Sequence, residues 1–293
     1  MIFTGSATAL VTPFEPDGGI DYESFGNLID WQIESGTSAL VILGTTGEAA
    51  TLLEEELKEV MVFAVARINK RVPVIFGTGS NNTLTAVKMT KFAQAVGADA
   101  ALIVNPYYNK SSQEGIYRHY QAIHDQTDLP ILLYNVPSRT GANIEPRTIA
   151  RLKSFDRIVG IKQATSNLSE IVEVAMLIDD GFKLYSGNDD MIHSFLSLGA
   201  SGVISVVSNI DPGKVAELCS SYFNNDHKRS LEIQFQLKPL VDALFSVTNP
   251  IPVKAALSSL GKINNHLRLP LIPLNDQEHR ALDQVLLAYG LEV

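Results

Sequence analysis

The stretch IVGIKQAT, residues 158 to 165, places a lysine at the end of a short apolar run. Its first residues, IVGI, are typical of a strand that is buried on both faces. Lys162 is the exception, because an ammonium group moved out of water without a partner is so unfavourable that it tends to lose its proton. The stretch therefore predicts a buried strand that ends in a chemically unusual amine.

Similar apolar runs recur along the first two-thirds of the chain: GSATALV from 5, ALVIL from 39, PVIFG from 73, ALIVN from 101, ILLYN from 131, KLYSG from 183 and GVISV from 202. Amphipathic stretches such as DYESFGNLIDWQIESG (21–36) lie between them and predict helices. Strands that alternate with helices indicate a parallel sheet covered by helices. Eight such units predict a (β/α)8 TIM barrel. A doubly wound sheet is the alternative, although it needs fewer strands and usually a glycine fingerprint.

The strand pattern stops after SVVSNIDPG (205–213). Residues 212–293 are predicted to form three or four helices, interrupted by the proline-containing segments NPIP (249–252) and LPLIP (269–273). We therefore predict a catalytic barrel over residues 1–211 and a helical C-terminal extension over 212–293 that packs on it. The two parts are expected to form one rigid unit, because no low-complexity linker separates them.

Composition narrows the class of protein. The 293 residues are 45% hydrophobic and 19% charged, which is enough to build a sizeable core. The net charge of −9 argues against nucleic-acid or anionic-membrane partners. The single cysteine, Cys219, excludes an internal disulfide and suits a reducing compartment. MIFTGSATAL lacks the basic region of a signal peptide, and no apolar stretch reaches the roughly 18 residues of a membrane span, so we expect a cytoplasmic protein.

Metal and cofactor motifs are not found in the sequence. The six histidines lack metal-site spacing, since His119 and His124, five apart, do not share a helix face. GTGSNN (77–82) does not match the dinucleotide fingerprint GxGxxG, and the loops after the last two strands are not rich in glycine. We therefore expect neither a metal nor a cofactor.

Polar residues gather where the predicted strands end, and in a TIM barrel these ends carry the chemistry. GTTGE (44–48), NPYYN (105–109) and YNVPSRTG (134–141) follow three of the strands, and Lys162 ends another. A deprotonated lysine there can form a Schiff base with a carbonyl compound, and the protonated imine is an electron sink. The alternative is a lysine that extends to solvent or pairs with a carboxylate.

Three further groups suit such chemistry, and each also has a plainer interpretation. The hydroxyls and amides of GTTGE can bind a small carboxylate, or they can cap a helix that begins near Thr51. Tyr134, on the strand next to that of Lys162, can relay protons, or it can be a core tyrosine with a satisfied hydroxyl. Arg139 can hold a second carboxylate, or it can be an ordinary surface arginine.

The motifs GTTGE, PYYN, YNVPSRTG, GIKQAT and GVISV, in this order, closely resemble those of the dihydrodipicolinate synthase family, within the Schiff-base pyruvate aldolases. The resemblance runs from FTGSATALVTPF (3–14) to NPIPVKAAL (249–257) and LRLPL (267–271), so it covers essentially the whole chain. It implies a class I lyase that condenses pyruvate with aspartate semialdehyde on the route to lysine and diaminopimelate.

The resemblance also implies catalytic roles. Lys162 matches the lysine that forms the imine with pyruvate, and Tyr134 matches the tyrosine that shuttles protons over that imine. Thr45 matches the threonine that links Tyr134 to a further tyrosine, matched by Tyr108, which the family donates from a neighbouring subunit. The family is usually a homotetramer of two tight dimers, and the adjacent aromatics Tyr107 and Tyr108 are of the kind that marks an interface.

Substrate-binding roles follow from the same resemblance. Thr46, with loop amides, would hold the pyruvate carboxylate, and Arg139 would hold that of the semialdehyde. Gly187 and Ile204 match positions whose backbone lines the pocket. Many family members have glutamate where this chain has Gln163, but strand alternation directs residue 163 away from the side of the lysine, so little effect on the chemistry is expected.

The effector site of the family is altered in this sequence. Asn81 and Tyr107 match family contacts to the inhibitor lysine. Thr85, however, stands where strongly inhibited members carry a glutamate for the ammonium group of lysine, and Glu54 and Leu57 stand where those members have histidines. We therefore expect weak or absent inhibition by lysine, since a lost charged partner costs about 1.5–3 kcal/mol.

Two other functions stay open at the level of sequence. A sibling aldolase that cleaves N-acetylneuraminate or 2-keto-3-deoxygluconate would share the lysine, the tyrosine and the carboxylate-binding turn. The sialic-acid branch usually reads GSTGE and lacks an arginine at position 139, whereas this chain has GTTGE and Arg139. A non-catalytic barrel that serves only for binding is the second alternative, and it predicts an inert Lys162.

Overall fold

The computed structural model describes residues 2–293, and within them eight parallel strands close into a barrel in chain order. The strands are β1 Gly5–Ala9, β2 Ala39–Ile42, β3 Val74–Gly77, β4 Ala100–Val104, β5 Ile131–Asn135, β6 Ile158–Gln163, β7 Lys183–Ser186 and β8 Gly202–Ser205. β1 pairs with both β2 and β8, which closes the sheet. The predicted TIM barrel is confirmed, and the doubly wound alternative is wrong.

Helices cover the outside of the barrel and continue beyond it. They are α1 Tyr22–Glu34, α2 Glu54–Ile68, α3 Thr83–Val96, α4 Gln113–His124, α5 Pro137–Thr140, α6 Pro146–Leu152, α7 Leu168–Ala175, α8 Ile192–Ser197, α9 Pro212–Phe223, α10 His227–Leu244, α11 Ile251–Ser259 and α12 Asp276–Tyr289. Short 3-10 turns follow three of the strands, at Ala49–Thr51, Asp189–Met191 and Val207–Asn209. No helix within residues 2–293 combines the length and the apolar character that crossing a membrane requires.

Local sequence signals set the ends of several helices. The Asn82 side chain accepts hydrogen bonds from the backbone of Leu84 and Thr85 at the start of α3, and Gly97 ends that helix with a φ of 96°. α12 begins with a capping box in which Asn275 and Glu278 bond to each other's backbone N–H groups. These contacts satisfy N–H groups that have no partner inside a helix.

Alternating strand residues divide the core into two parts. Ile161 belongs to the large cluster between the strands and the helices, whereas Leu132, Tyr185 and Ile204 belong to a smaller cluster inside the barrel. Inside the barrel, the ring of Tyr185 stacks on that of Phe3 at 4.4 Å, and its hydroxyl donates to the Phe3 carbonyl. Because Phe3 precedes β1 while Tyr185 pairs in register with Lys162, this contact fills the barrel interior beneath the lysine.

The C-terminal helices pack on the barrel. α9 contacts β1 and α8 and so occupies the eighth helix position, and α10 packs against α9 and α12. α11 contacts the 3-10 turn Val207–Asn209 that follows β8. The last barrel strand, β8, ends before α9 begins. The division into a catalytic barrel (1–211) and a helical extension (212–293) stays a prediction.

Candidate active site

Lys162 lies at the carboxyl end of β6 inside the barrel, and only 5% of its surface is exposed. The register of β5 and β6 places it directly beside Tyr134, and its Nζ lies 4.6 Å from the centre of the Tyr134 ring. Gly160, two residues earlier, is required by close approach, since a Cβ there would lie 2.5 Å from the Lys183 carbonyl oxygen. The strand thus holds the amine next to a phenol at the barrel mouth.

A cavity of about 250 Å³ opens above the amine. Its walls include Thr45, Thr46, Tyr134, Arg139 and Lys162. The structure therefore brings together in one cavity five predicted site residues that the sequence places at three different strand ends. An amine, a phenol, two hydroxyls and a guanidinium therefore lie around the same small volume.

The turn of residues 44–48, here called the threonine turn, supplies two of these groups. Thr46 is buried, and its Oγ1 accepts a hydrogen bond of 3.0 Å from Asn249 Nδ2. The helices that follow the turn are not capped by its threonines, because their N-cap positions are Glu48 and Leu53. Both hydroxyls are therefore available to the cavity.

The threonine turn is fixed from below by buried contacts. Thr12 Oγ1 donates to the Gly47 carbonyl at 2.7 Å, and a Cβ at Gly47 would lie 3.1 Å from the Leu10 carbonyl. Glu48 has a φ of 51°, and its side chain forms an ion pair of 2.7 Å with Lys254. The turn is thus tied to the end of β1 and to α11.

Arg139 stands at the mouth of the cavity on the short helix α5, and its side chain is exposed. Its Nη2 donates to the Asn249 carbonyl at 3.0 Å. This contact holds the guanidinium at the rim, where its other N–H groups can meet an incoming carboxylate.

The walls after β7 and β8 come from Gly187 and Val206. Gly187 donates its N–H to the Gln163 carbonyl at 2.8 Å, and a Cβ there would lie 2.7 Å from that of Ala164. Ile204 faces the barrel interior but is not part of the cavity wall formed by residues 2–293, since Val206, further toward the carboxyl end, takes that place. The role assigned to Ile204 stays a prediction.

A buried carboxylate, Asp189, supports this wall from outside the barrel. Its Oδ2 accepts the backbone N–H groups of Val206 and Val207 at 2.8 and 2.9 Å. Complete burial raises the pKa of this carboxyl group, although those hydrogen bonds, the Ser205 hydroxyl and the charge of Lys162 oppose the rise. Asp189 therefore joins the loop after β7 to the end of β8.

The two tyrosines of PYYN are separated in the structure. Tyr107 lines a second cavity of about 520 Å³, which shares Thr45, Tyr134 and Arg139 with the first. Tyr108 is 90% exposed, has a φ of 69° and, within the described chain, lines neither cavity. Its side chain therefore takes no part in the cavity of its own subunit.

Some of the positions predicted for the effector site line the larger cavity, and others do not. Leu57 and Thr85 line it, whereas Asn81 and Glu54 are not among its wall residues in the region 2–293. The Asn81 carbonyl accepts a hydrogen bond from Asn109 Nδ2 at 3.1 Å. Hydrogen bonds from Lys58 and Lys88 lower the pKa of the Glu54 carboxyl to about 2, so this carboxylate is already paired.

Gln163 points away from the barrel interior, as strand alternation predicts. Its Nε2 donates to Glu170 Oε1 at 2.7 Å, and Glu170 Oε2 accepts from Asn143. Asn135, next to Tyr134 on β5, donates to Asn143 Oδ1 at 2.6 Å. This network supports the outer face of β5 and β6, behind Tyr134 and Lys162.

Asn249 lines the cavity, although the sequence does not predict it as a site residue. It is buried, and it contacts both Thr46 and Arg139. Its signal in the sequence is weak: a polar residue next to the prolines of NPIP. Within residues 2–293 no group of three side chains is placed to hold a metal ion.

A family model described as the dihydrodipicolinate synthetase family matches residues 2–289. The chain belongs to this family. A 4-hydroxy-tetrahydrodipicolinate synthase of Clostridium novyi is 46% identical over 289 residues, 99% of this chain and 97% of that protein. Two dihydrodipicolinate synthase structures, each 43% identical, superimpose with a TM-score of 0.97. The Aquifex aeolicus structure covers 99% of both chains, and the Acinetobacter baumannii one, a complex with pyruvate, covers 99% of this chain and 100% of that one.

Proposed function

We propose that this member of the dihydrodipicolinate synthetase family is a 4-hydroxy-tetrahydrodipicolinate synthase, which condenses pyruvate with L-aspartate 4-semialdehyde through an imine on Lys162. The single observation that carries the residue assignment is the Lys162 amine, 4.6 Å from the Tyr134 ring, in a cavity with Thr45, Thr46 and Arg139. The protein would then be a lyase of lysine and diaminopimelate biosynthesis, in line with the synthase name that its relatives carry.

The reaction begins when the neutral amine of Lys162 attacks the keto carbon of pyruvate, and loss of water leaves an imine. A methyl proton then leaves, and the resulting enamine attacks the aldehyde carbon of the second substrate to form a carbon–carbon bond. The amino group of that substrate next attacks the imine carbon, which closes a six-membered ring and releases the lysine amine. Each step moves a proton, so the site needs a carrier beside the nitrogen.

Tyr134 is proposed as that carrier, because its ring lies beside the amine on the adjacent strand. Thr45 lines the cavity next to it and can pass a proton onward through its hydroxyl. Tyr108 would complete the relay from a second subunit, which fits its exposure and its place outside its own cavity.

The two carboxylates of the substrates are proposed to occupy separate places. Thr46, together with amides of the threonine turn, holds the carboxylate of pyruvate close to the lysine. Arg139, exposed at the mouth, holds the carboxylate of the semialdehyde, and a guanidinium can do so with two parallel hydrogen bonds. Gly187 and Ile204 would contribute backbone groups opposite the threonine turn.

The sibling aldolases are not favoured. Relatives that are 46% identical over nearly the whole chain carry the synthase name, and Arg139 stands at the mouth, where the sialic-acid branch lacks an arginine. The two functions are compared directly by measuring the rate of condensation of pyruvate with aspartate semialdehyde and the rate of cleavage of N-acetylneuraminate. Faster cleavage of the sugar acid would contradict the proposal.

The decisive experiment is reduction with borohydride in the presence of pyruvate, followed by peptide mass mapping. A stable pyruvate adduct on Lys162 is expected, and none in the Lys162→Ala variant, whose turnover is lost. An adduct on another lysine, or none, would contradict the proposed mechanism and would favour a barrel that only binds ligands.

The proposed assembly is a homotetramer built from two tight dimers. Tyr108 requires at least a dimer if it acts in the site of a partner. An exposed apolar stripe, at Leu168, Val172 and Met176, lies on and just after α7 and is suited to a contact between dimers. Because its relatives are biosynthetic enzymes and its single cysteine is free, we also propose that it works in the cytoplasm.

Inhibition by lysine is proposed to be weak or absent. Thr85 offers no charge to the ammonium group of lysine, and the Glu54 carboxylate already pairs with Lys58 and Lys88. Asn81 and Tyr107 remain as possible contacts but cannot replace the missing carboxylate. A lysine titration of the activity tests this, and half-inhibition well below millimolar lysine would contradict it.

A further inference from the structure

Asn249 touches both proposed carboxylate sites. Its side-chain Nδ2 donates to Thr46 Oγ1 at 3.0 Å, and its backbone carbonyl accepts from Arg139 Nη2 at 3.0 Å. Only 4% of its surface is exposed, and its Oδ1 is buried without a partner among the described residues. The amide is therefore aligned toward the threonine turn and away from other groups of the fold.

The direction of the hydrogen bond determines what Thr46 can do. A hydroxyl has one donor and two acceptor positions, and Asn249 fills one acceptor position. Across residues 2–293, the Thr46 O–H has no acceptor of its own, because its single hydrogen bond is the one it accepts. The proton of this hydroxyl is thus left for a ligand, and a carboxylate is the acceptor that gains most from it.

The position of Asn249 is itself held rigidly. Five residues later, Lys254 pairs with Glu48 of the threonine turn at 2.7 Å and donates to the Thr12 carbonyl at 2.9 Å. The segment 249–254 therefore contacts the turn at two points, through Thr46 and through Glu48. A side chain fixed in this way can orient a hydroxyl without a large loss of entropy when substrate binds.

We infer that Asn249 is a positioning residue. Its side chain directs the Thr46 O–H toward the carboxylate of the keto acid, and its backbone carbonyl holds the Arg139 guanidinium at the mouth of the cavity. This inference rests on the proposed function. The side chain and the backbone carbonyl of Asn249 therefore have separate roles. Substitution of the side chain changes the site of the keto acid only, because the bond to Arg139 comes from the backbone and is retained.

The test is steady-state kinetics with both substrates for Asn249→Ala and Asn249→Asp, with exposed Asn27→Asp on α1 as the charge control. Asn249→Ala is expected to raise the KM for pyruvate about tenfold and to change that for the semialdehyde less than about twofold. Asn249→Asp is expected to act more strongly, because its carboxylate accepts the hydrogen bond of the Thr46 O–H and its negative charge repels the carboxylate of the ligand. Asn27→Asp should change neither constant.

A double-mutant cycle separates positioning from a general structural role. In a Thr46→Val background, Asn249→Ala should raise the KM for pyruvate by less than about twofold, since the group through which it acts is gone. The same tenfold rise in both backgrounds, equal rises for both substrates, or normal pyruvate binding in Asn249→Asp would overturn the inference. Normal pyruvate binding in Thr46→Val would overturn it without any Asn249 variant, even if those variants fail to fold.

Failure of the inference differs from failure of the proposed function. If the unmodified protein forms no borohydride-reducible adduct with pyruvate, the proposed function itself is wrong. If the unmodified protein is active and the pyruvate KM of the Asn249 variants stays unchanged, only the positioning role falls. Circular dichroism and thermal melting of each variant confirm that the kinetics refer to folded protein.

Discussion

Glu48 and Lys254 form an ion pair of 2.7 Å whose side chains are 1% and 0% exposed. Lys254 Nζ also donates to the Thr12 carbonyl and lies over the Phe14 ring. Burial lowers the pKa of the Lys254 ammonium, and the attraction of Glu48 opposes that shift. Since Glu48 belongs to the threonine turn, this pair connects that turn to α11.

The first prediction concerns this pair. Lys254→Met should lower the free energy of unfolding by about 3–5 kcal/mol, because it leaves a buried carboxylate without its cation. Glu48→Gln should cost a similar amount, and the double variant should recover much of the loss. Urea unfolding of the four proteins measures the coupling.

A surface pair provides the matched control for that cycle. Lys238 and Asp242 are 50% and 62% exposed at i,i+4 spacing on α10, and Lys238→Ala should cost at most about 0.5 kcal/mol. Equal costs for Lys254→Met and Lys238→Ala would contradict the claim that the buried pair stabilises the threonine turn.

The second prediction concerns the carboxylate site at the mouth. Arg139→Ala should raise the KM for aspartate semialdehyde about 10- to 100-fold and leave the KM for pyruvate nearly unchanged, because a charge-assisted hydrogen bond is worth about 1.5–3 kcal/mol. Arg139→Lys should recover only part of the loss, since an ammonium cannot form two parallel bonds with a carboxylate. Normal turnover of Arg139→Ala with the semialdehyde would show that the substrate assignment is wrong.

The barrel and much of the site could be predicted because the signals are local. Short apolar runs mark the strands, and the polar residues that follow each run must meet at one end of a parallel barrel. Strand alternation also predicts that Lys162 and Gln163 face opposite sides, as they do.

Contacts between distant parts of the chain could not be predicted in the same way. Asn249 meets Thr46 across 203 positions, and Lys254 meets Glu48 across 206, so no local pattern indicates either pair. Both contacts depend on how the C-terminal helices pack on the closed barrel, which alternation within a strand does not specify.

The third prediction tests whether Tyr108 acts in the site of a partner. Tyr108→Phe and Lys162→Ala should each lose most activity alone. Mixed and reassembled, they should regain activity, because one site of each mixed dimer then holds a complete set of Lys162 and a partner's Tyr108. Turnover after mixing is the measurement.

Subunit mixing has a direct control. Tyr134→Phe mixed with Lys162→Ala should regain no activity. Tyr134 and Lys162 of one site come from the same subunit, so no site of the mixed dimer contains both. Absence of recovery with Tyr108→Phe, despite mixed dimers in native mass spectra, would assign Tyr108 no role across the interface.

The fourth prediction concerns pH and His119, which lies on α4 away from the cavity walls. His119 is 6% exposed, its Nδ1 lies 2.9 Å from Thr83 Oγ1, and its Nε2 is buried without a partner among residues 2–293. Burial lowers the pKa of this imidazole from 6.5 to about 4. The folded protein therefore holds the neutral ring, whereas the unfolded chain takes up a proton below about pH 6.5.

The stability due to neutral His119 is fully present above pH 6.5 and is lost as the pH falls toward 4. The difference between the two pKa values corresponds to about 3 kcal/mol. Between pH 6.5 and 4, the slope of the unfolding free energy against pH should be smaller in His119→Asn, because about one proton fewer is taken up on unfolding. An unchanged slope in His119→Asn would show that the buried ring is not the group that titrates on unfolding.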